Sequence, residues 1–364
     1  MGNESDSTFT IGQRVHSVGD SRRIGTVKYV GPIQGYSGDW VGVDWDNGDG
    51  KNDGSVNGVR YFQAKSDNSA SFVRPKNLAA GITLLEALVL RYRGESTNEE
   101  EDEMYVLSSS NKRVSVQLVG KDTIQNKLSH FEKLSSASLA YLGVSSAGPP
   151  NEISSVAPNL KELDLTGNLF SKWKDVAAIC QELPALVALN LSNNRMAQNL
   201  TYLPILGNIR VLVLNYTGLK WAQVESLKDL LPSIEELHLM GNEISEITPT
   251  SKFVQGFSCL RVLNLEANQI SEWGEIVKLS ELTSLEQLHL NKNNLSQVFY
   301  PTSDSTVISF TIEAFKNLRC LLLGDNNISD VDSVDSLNSF PLLTDVHITT
   351  SPSLLTLKHD PLHN

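Results

Sequence analysis

Along the second half of the chain, hydrophobic residues recur in the order L-x-x-L-x-L, with an asparagine three residues after the last leucine. Within each unit, the alternation of apolar and polar positions predicts a short strand with one buried face. The pattern returns about every 25 residues, which predicts stacked copies of one structural unit. The units begin at Leu160, Leu186, Ile209, Ile234, Leu260, Leu285 and Leu318.

This period lies in the range of leucine-rich repeats, so the sequence predicts an α/β solenoid whose short parallel strands line a concave face. Degenerate units near Leu134 and Leu343 extend the predicted repeat domain to residues 131–358, followed by a tail at 359–364. We expect the repeated asparagines to satisfy backbone groups at the turns rather than to bind a ligand. They are Asn168, Asn194, Asn242, Asn268, Asn293 and Asn326.

Strand alternation also predicts which side chains lie on the concave face. This set contains no lysine or arginine, whereas a phosphate backbone would require them, so it favours a protein surface as the partner. Its two histidines lie two repeats apart, roughly 10 Å at the usual strand spacing, which is too far for one zinc ion. The concave set is Glu162, Asp164, Asn190, His238, Met240, Asn264, Glu266 and His289.

Residues 9–78 carry a different pattern, in which short β-rich runs alternate with glycine-containing turns. The spacing predicts a small, strongly bent antiparallel barrel or sandwich. Val41, Val43 and Trp45 alternate along one strand and should fill its core. Trp40, on the opposite face of that strand, is a candidate for lining a surface groove.

In this segment GTVKYVGP, GDWVGVDWD, GKNDGSVNGVRYF and SFVRP follow one another in an order that resembles a CAP-Gly domain. The resemblance implies a small SH3-like β-barrel that binds acidic tails ending in an aromatic residue, such as that of α-tubulin. It implies that Lys51 and Asn52 hold the carboxylates of the tail and that Arg74 adds a second positive contact. The aromatic wall of the groove would be Trp40, Phe72 and Tyr61.

Two observations bear on this groove. Family members often place an aromatic residue a few positions before Trp40, and here only Tyr36 is available, which predicts a shallower groove. The alternative interpretation of GKNDG is a hairpin turn of asparagine, aspartate and glycine without any ligand.

Residues 79–130 are predicted to be a linker that contains a helix, ITLLEALVLRYRG, and an acidic run at residues 99–103. The acidic run is a solvated linker or helix start, or alternatively a mimic of an acidic tail that occupies the groove at Lys51. The polar residues 1–8 are predicted to be a disordered N-terminus.

The net charge of −12 over 364 residues disfavours nucleic acid as a partner. The chain has no apolar run that could span a bilayer and no signal-peptide pattern. Three widely spaced cysteines favour a reducing, cytosolic compartment. Because no Walker motif, nucleophile elbow, HExxH or paired cysteine ligands occur, we expect neither an enzyme nor a cofactor.

A CAP-Gly domain followed by leucine-rich repeats resembles the tubulin-folding cofactor E family. The resemblance implies a chaperone that binds α-tubulin, its tail in the groove and its body on the repeats. It also implies that the chain works with other tubulin-folding cofactors to assemble or dissociate the αβ-tubulin heterodimer. Members usually carry a ubiquitin-like domain after the repeats, whereas this sequence ends at HDPLHN, so we expect a natural short form or a fragment without that domain.

Two alternatives to this function remain. One is a microtubule-associated scaffold that recruits partner proteins through its repeats, although the chain has neither the basic serine-rich flanks nor the coiled coil that such scaffolds often add. The other is a repeat-based regulator of a signalling enzyme, in which the CAP-Gly groove serves only for localisation.

Overall fold

The structure is a computed structural model that describes residues 9–93, 105–107, 113–115, 130–197, 200, 203–301 and 313–348. The chain forms two compact units, one of residues 1–170 and 178–186, the other of residues 171–177 and 187–364. Three predicted segments lie outside the described residues, namely the N-terminal residues 1–8, the acidic run at 99–103 and the tail at 359–364. In the part that is described, no helix is both long enough and apolar enough to cross a bilayer.

The first unit begins with a five-stranded antiparallel sheet and a two-stranded hairpin. Along the sheet the strand order is β6-β3-β2-β1-β7, while β4 pairs with β5. These strands are β1 (Arg14–Ser17), β2 (Asp20–Pro32), β3 (Asp39–Trp45), β4 (Ser55–Val56), β5 (Val59–Arg60), β6 (Ala70–Val73) and β7 (Leu78–Ala79).

Apolar residues from alternate positions of these strands form the core of the module. Val41, Val43 and Trp45 are almost completely buried, which confirms the predicted alternation along β3. Val15 and Val27 pack against them from the neighbouring strands. The small barrel therefore has one inner face, and the side chains of its outer face are available for binding.

The segment after the barrel packs on the first repeat. Only residues 80 and 81 separate β7 from β8 (Ile82–Thr83), which pairs in parallel with β12 (Val144–Ser146). The helix α1 (Leu84–Arg93) then buries Leu84 and Leu88 completely. The Tyr92 hydroxyl accepts a hydrogen bond from the Ser138 N–H at 3.1 Å. The predicted helix is confirmed, and it covers the apolar end of the repeats.

The remaining elements of the first unit are short. A hairpin joins β9 (Tyr105–Leu107) and β10 (Arg113–Ser115) in antiparallel register. The first repeats contribute β11 (Ser136–Ser138) and β13 (Glu162–Asp164), which pair in parallel. The helix α2 (Glu152–Val156) lies between them in the chain.

The second unit is a parallel sheet of three-residue strands, each paired with the next along the chain. Its central residues are in register from Leu189 to Val346, and those from Leu189 to Leu321 are buried in one core. The strands are β14 (Ala188–Asn190), β15 (Val211–Val213), β16 (Glu236–His238), β17 (Val262–Asn264), β18 (Gln287–His289), β19 (Cys320–Leu322) and β20 (Asp345–His347). The α/β leucine-rich-repeat solenoid is thus confirmed.

Helices connect some of these strands, and three of them begin at a buried tryptophan. Trp173 and Trp273 donate from their indole nitrogens to the carbonyls of Ala197 and Phe299, at 3.1 and 2.7 Å. Each large ring therefore joins its helix to a loop of the next repeat. The helices are α3 (Trp173–Glu182), α4 (Trp221–Leu227), α5 (Trp273–Val277) and α6 (Val331–Ser336).

The repeated asparagines form the predicted ladder. The Asn268 side chain donates to the carbonyls of Leu239 and Leu265, at 3.0 and 2.9 Å, and accepts from the N–H groups of Asn242 and Ile244. Where one unit has Thr217 instead, its hydroxyl donates to the Leu214 carbonyl at 2.9 Å. Each rung satisfies buried backbone groups of its own repeat and of a neighbour, so the turns can be buried.

Charges of alternating sign run along the positions that precede β15 to β19, a pattern that sequence reasoning missed. Arg261 bonds Glu286 through two nitrogens, at 3.1 and 2.9 Å, and Arg210 pairs with Glu235 through one nitrogen two repeats earlier. The hydrogen bond from Arg261 and its charge lower the pKa of Glu286, as does the charge of Arg319. Neighbouring strands place opposite charges side by side, which favours the observed stacking.

Around the last described strand, apolar side chains are more exposed than in the strands before it. Leu321 is 0% exposed, whereas Val346, its counterpart on the last described strand, is 37% exposed. Leu342 and Val331 are also exposed there.

The ladder gives a prediction about stability. Asn242→Ala should lower the free energy of unfolding by about 2–4 kcal/mol, because buried carbonyl and N–H groups lose their partners. Asn326→Ala is the control. The Asn326 side chain is half-exposed, so this variant should lose less free energy of unfolding because water can replace the amide. Urea denaturation followed by circular dichroism measures both. Equal losses would contradict the assignment of the cost to buried backbone groups.

Candidate functional site

Pairing between β3 and β6 brings the predicted aromatic and basic residues to one face of the barrel. Gly42 lies opposite Phe72, and Val41 opposite Val73. Because side chains alternate along a strand, Trp40 and Phe72 project to the same side, away from the valine core. Arg74 follows Phe72 by two residues and shares that side. The two strands therefore bring together three of the residues that the sequence predicted.

Four aromatic rings cluster at this face. Tyr61 lies 5.5 Å from Phe72 and 5.1 Å from Tyr29, and Phe62 lies 5.5 Å from Phe72, all measured between ring centroids. Gly42 makes room for them, since a Cβ at this position would lie 2.4 Å from the Phe62 ring. Tyr29 and Phe62 were not predicted from the sequence. The glycine between Val41 and Val43 was the signal that a ring packs there.

Arg74 holds Trp40 in place. Its guanidinium lies 3.8 Å from the centroid of the indole ring and donates to the Ser37 carbonyl at 2.7 Å. Tyr36 packs edge-on against the same indole, with centroids 5.9 Å apart. Tyr36, the aromatic residue that the sequence offered before Trp40, therefore contacts it, although Tyr36 lies outside β3. The positive charge of Arg74 lies directly on the aromatic wall.

The GKNDG segment is a turn built against β6. The N–H groups of Lys51 and Asn52 both donate to the Ala70 carbonyl, at 2.6 and 3.1 Å, while the Asn52 carbonyl accepts from the Ala70 N–H at 2.9 Å. Gly50 passes so close that a Cβ there would lie 2.4 Å from the Ala70 carbonyl oxygen. At Gly54, with φ at +93°, a Cβ would lie 2.1 Å from the Phe62 carbonyl oxygen. Both glycines are therefore required by close backbone approach.

Within this turn the polar side chains have different partners. Asn52 accepts the Gly54 N–H through Oδ1 at 3.0 Å, which leaves its amide N–H groups for another acceptor. Asp53 accepts from the Ser55 N–H at 3.0 Å and pairs with Arg60 at 2.6 Å. These hydrogen bonds, with Ser55 first and Arg60 next, lower the pKa of Asp53.

Lys51 is exposed, and its ammonium has no ion pair or hydrogen bond within the described part of the chain. The neighbouring carboxylate of Asp53 is already neutralised by Arg60. The turn thus presents a cation whose charge is not compensated locally. A turn of this kind loses little entropy when it binds an anion, because the backbone is already ordered.

A pocket of about 520 Å³ lies beside the turn, along the edge of β6. Of the predicted site residues, Lys51, Trp40, Phe72 and Arg74 line this pocket. Tyr61 and Asn52 do not. Among the described residues, the Ser71 hydroxyl and the Trp40 indole N–H are buried without a hydrogen-bond partner. The lining residues that the sequence did not indicate are Ser17, Val18, Arg23, Ser71, Val73 and Asn77.

The concave-face residues of the first unit are engaged in local turns. Asp164 accepts from the N–H and the hydroxyl of Thr166, at 2.9 and 2.6 Å, and from the Ser138 hydroxyl at 3.1 Å. Glu162 is exposed at the other end of the same strand. Asp164 therefore has a structural partner on each side, whereas Glu162 is open to solvent.

In the second unit, Asn190 and Asn264 repeat the role of Asp164, each accepting the N–H of the residue two positions on. His238 and His289 flank Asn264 on the neighbouring strands. Burial, and then the charge of His238, lowers the pKa of His289. Within the described residues, no group of three or more potential ligands is placed to hold a metal ion.

Two further residues of the predicted concave set are Glu266 and Met240. Glu266 forms an ion pair with Lys292 at 3.0 Å, so a lysine reaches the concave side that the sequence pattern had indicated to be free of basic residues. Met240 is half-buried, and its N–H donates to the Asn215 side chain at 2.9 Å. The face therefore offers charged, neutral polar and apolar contacts.

Comparison with known proteins agrees with both modules. The CAP-Gly domain profile matches residues 11–78. The chain is 59% identical to tubulin-folding cofactor E of Arabidopsis thaliana, over 96% of this chain and 66% of that protein. It is 35% identical to tubulin-specific chaperone E of Danio rerio, over 94% and 64%, and 32% identical to that of Homo sapiens, over 94% and 63%.

The chain spans just under two thirds of the length of these relatives. Within that span the similarity is continuous across the CAP-Gly domain and the repeats. The CAP-Gly barrel, the leucine-rich-repeat solenoid and these relatives together show that the chain belongs to the tubulin-folding cofactor E family.

Proposed function

We propose that this protein is a tubulin-folding chaperone whose CAP-Gly groove holds the acidic C-terminal tail of α-tubulin. The observation that carries the proposal is the uncompensated Lys51 ammonium beside the aromatic wall of Trp40 and Phe72. In this proposal the repeats contact the folded body of tubulin, and the protein takes part in assembly or dissociation of the αβ-tubulin heterodimer.

The charge arrangement supports an acidic ligand. Carboxylates of the tail would meet Lys51 and the Asn52 amide, while Arg60 keeps Asp53 from repelling them. Charge-assisted hydrogen bonds of this kind are stronger than neutral ones, and the ordered turn retains most of that gain.

The aromatic wall supports a tail that ends in an aromatic residue. Trp40 and Phe72 line the pocket, and Arg74, stacked on Trp40, offers the other face of its guanidinium to a ring or a carboxylate. Aromatic pairs contribute beyond the area they bury when they meet edge-on or offset. A flexible tail loses entropy on binding, so the groove alone should bind it with modest affinity.

The concave face of the second unit supports a second contact. It combines Val213, Met240 and Leu322 with histidines and asparagines of neighbouring strands. Such a mixture is typical of protein interfaces. Two modest sites on one chain reinforce each other through effective concentration, which suits a chaperone that must release its product. The role is that of a binding protein in the cytoplasm, working with other tubulin-folding cofactors, and not that of an enzyme.

The direct test uses the whole chain and soluble αβ-tubulin, with and without the C-terminal tail of α-tubulin. Removal of the tail should weaken binding without abolishing it, because the repeats retain the body. Analytical ultracentrifugation or titration calorimetry measures both affinities. Equal affinity for both forms would exclude the groove as a tail site, and no binding to either would contradict the chaperone proposal.

A second prediction concerns Lys51 alone. Lys51→Ala should weaken binding of a tail peptide roughly five- to twentyfold, since one charge-assisted contact is lost while the turn remains held by Ala70. Lys28→Ala, which removes an exposed lysine of the same module outside the pocket, is the matched control and should leave affinity unchanged. Titration calorimetry distinguishes them, and equal affinities for the two variants would refute the role of Lys51.

A third prediction concerns Arg60, which is not part of the pocket lining. Arg60→Ala should weaken tail-peptide binding about two- to fivefold at low salt, because the Asp53 carboxylate then repels the ligand. The double variant Arg60→Ala with Asp53→Asn should restore the affinity, since the repelling charge is gone. Fluorescence anisotropy at two salt concentrations measures the effect. Failure of the second substitution to rescue binding would point to direct contact with Arg60 instead.

A further inference from the structure

The hairpin between β1 and β2 contains an irregularity next to the pocket. Ser17 lies opposite Asp20, but His16 lies opposite Ile24, so residues 21–23 have no counterpart on β1. Bulges of this kind redirect side chains and are common beside functional sites. The bulge here carries two consecutive arginines, Arg22 and Arg23.

These two arginines contact different parts of the first unit. The guanidinium of Arg22 lies 4.7 Å from the centroid of the Tyr141 ring, in the first repeat. The guanidinium of Arg23 lies 4.3 Å from the Trp45 ring and its side chain lines the pocket. Ser17 and Val18, on the other side of the hairpin, also line the pocket. One short segment therefore touches both the repeat and the pocket.

Close contacts hold the barrel against the repeat around this segment. His16 packs on Gly143, where a Cβ would lie 2.6 Å from its Nε2 atom. The Ile82 N–H donates to the Gly143 carbonyl at 2.9 Å. Gly81, with φ at +99°, approaches Ser145 so closely that a Cβ would lie 2.6 Å from the serine hydroxyl oxygen. The connection between β7 and β8 is thus short and closely packed on the repeat.

We infer that the first leucine-rich repeat takes part in tail binding, because Tyr141, through Arg22, positions the wall of the pocket formed by Arg23, Ser17 and Val18. Tyr141 and Arg22 are positioning residues in this inference, which rests on the proposed function of the groove. The ligand is an acidic peptide. A ring that keeps Arg22 in place restricts the bulge, so the pocket wall is ordered before the ligand arrives.

The chain offers a closely matched control for Tyr141. Tyr216 occupies the corresponding place in a later repeat, with φ at +56° against +58° for Tyr141. Tyr216 packs on Gly241 as Tyr141 packs on Gly167, and in each case a Cβ on the glycine would lie 2.1 Å from the ring. Arg22 stacks on Tyr141 and not on Tyr216. Loss of either ring removes a similar packing contact on a glycine of the next repeat, but only Tyr141 also contacts Arg22.

The experiment compares tail-peptide affinity, by fluorescence anisotropy, for the full chain and four variants. Tyr141→Ala and Arg22→Ala should each weaken binding about two- to fivefold, the range expected for an exposed cation–π contact. The double variant should weaken it no further than either single change, because each single change already removes the contact between the Arg22 guanidinium and the Tyr141 ring. Tyr216→Ala should bind as the wild type does. Tyr141→Phe, which keeps the ring, should also retain wild-type affinity.

Hydrogen exchange provides a readout that loss of stability alone would not reproduce. In the absence of peptide, Arg22→Ala should speed amide exchange at residues 17–20 and leave the later repeats unchanged. Saturating peptide should in turn slow exchange at residues 141–146, because coupling between two sites is reciprocal.

The outcomes distinguish failure of the proposed groove function from failure of the inference about Tyr141 and Arg22. A wild-type chain that fails to bind the peptide would overturn the proposed function of the groove. Wild-type binding, with unchanged affinity in Tyr141→Ala and Arg22→Ala and unchanged exchange at residues 17–20, would overturn this inference alone. Equal weakening in Tyr141→Ala and Tyr216→Ala would also overturn it, since the effect would then come from general destabilisation of the repeats.

Discussion

The whole structure depends on satisfying backbone polar groups where short strands turn, and asparagine side chains do this in both modules. In the repeats, Asn268 bonds four backbone groups of its own and neighbouring units, so a turn can be buried every 25 or so residues. In the barrel, the Asn52 side chain accepts the Gly54 N–H and so closes the GKNDG turn, which backbone bonds to Ala70 hold against β6. The strands are short, and without these bonds they would not hold their hydrophobic positions in register.

The site illustrates how a nearly neutral module can select an acidic ligand. Its charged side chains have separate partners: Arg60 neutralises Asp53, Arg74 stacks on Trp40, and Arg23 stacks on Trp45. What remains for a ligand is the ammonium of Lys51 next to aromatic rings. Net charge therefore says little about the groove, because the acidity of the chain lies elsewhere and is screened over about 8–10 Å in physiological salt.

Close backbone approach connects the barrel to the first repeat. Gly81 and Gly143 leave no space for a Cβ, and β8 pairs with β12 two residues after the barrel ends. The predicted linker at residues 79–130 thus begins as an ordered part of the repeat unit, with α1 covering its apolar end. A groove fixed in this way can respond to changes in the repeat, which a groove on a flexible linker could not.

The sequence by itself determined the repeats, the asparagine ladder, the barrel core and the position of the GKNDG turn. These features rest on periodicity and on residues a few positions apart, so local sequence carries them. It did not indicate that Tyr29 and Phe62 join Phe72, that Arg74 stacks on Trp40, or that Arg22 reaches Tyr141. Those contacts join residues that are separated by up to a hundred or more positions in the chain or that lie on irregular loops. Only the tertiary structure decides them, because they depend on how strands pair and on where a bulge directs two adjacent side chains.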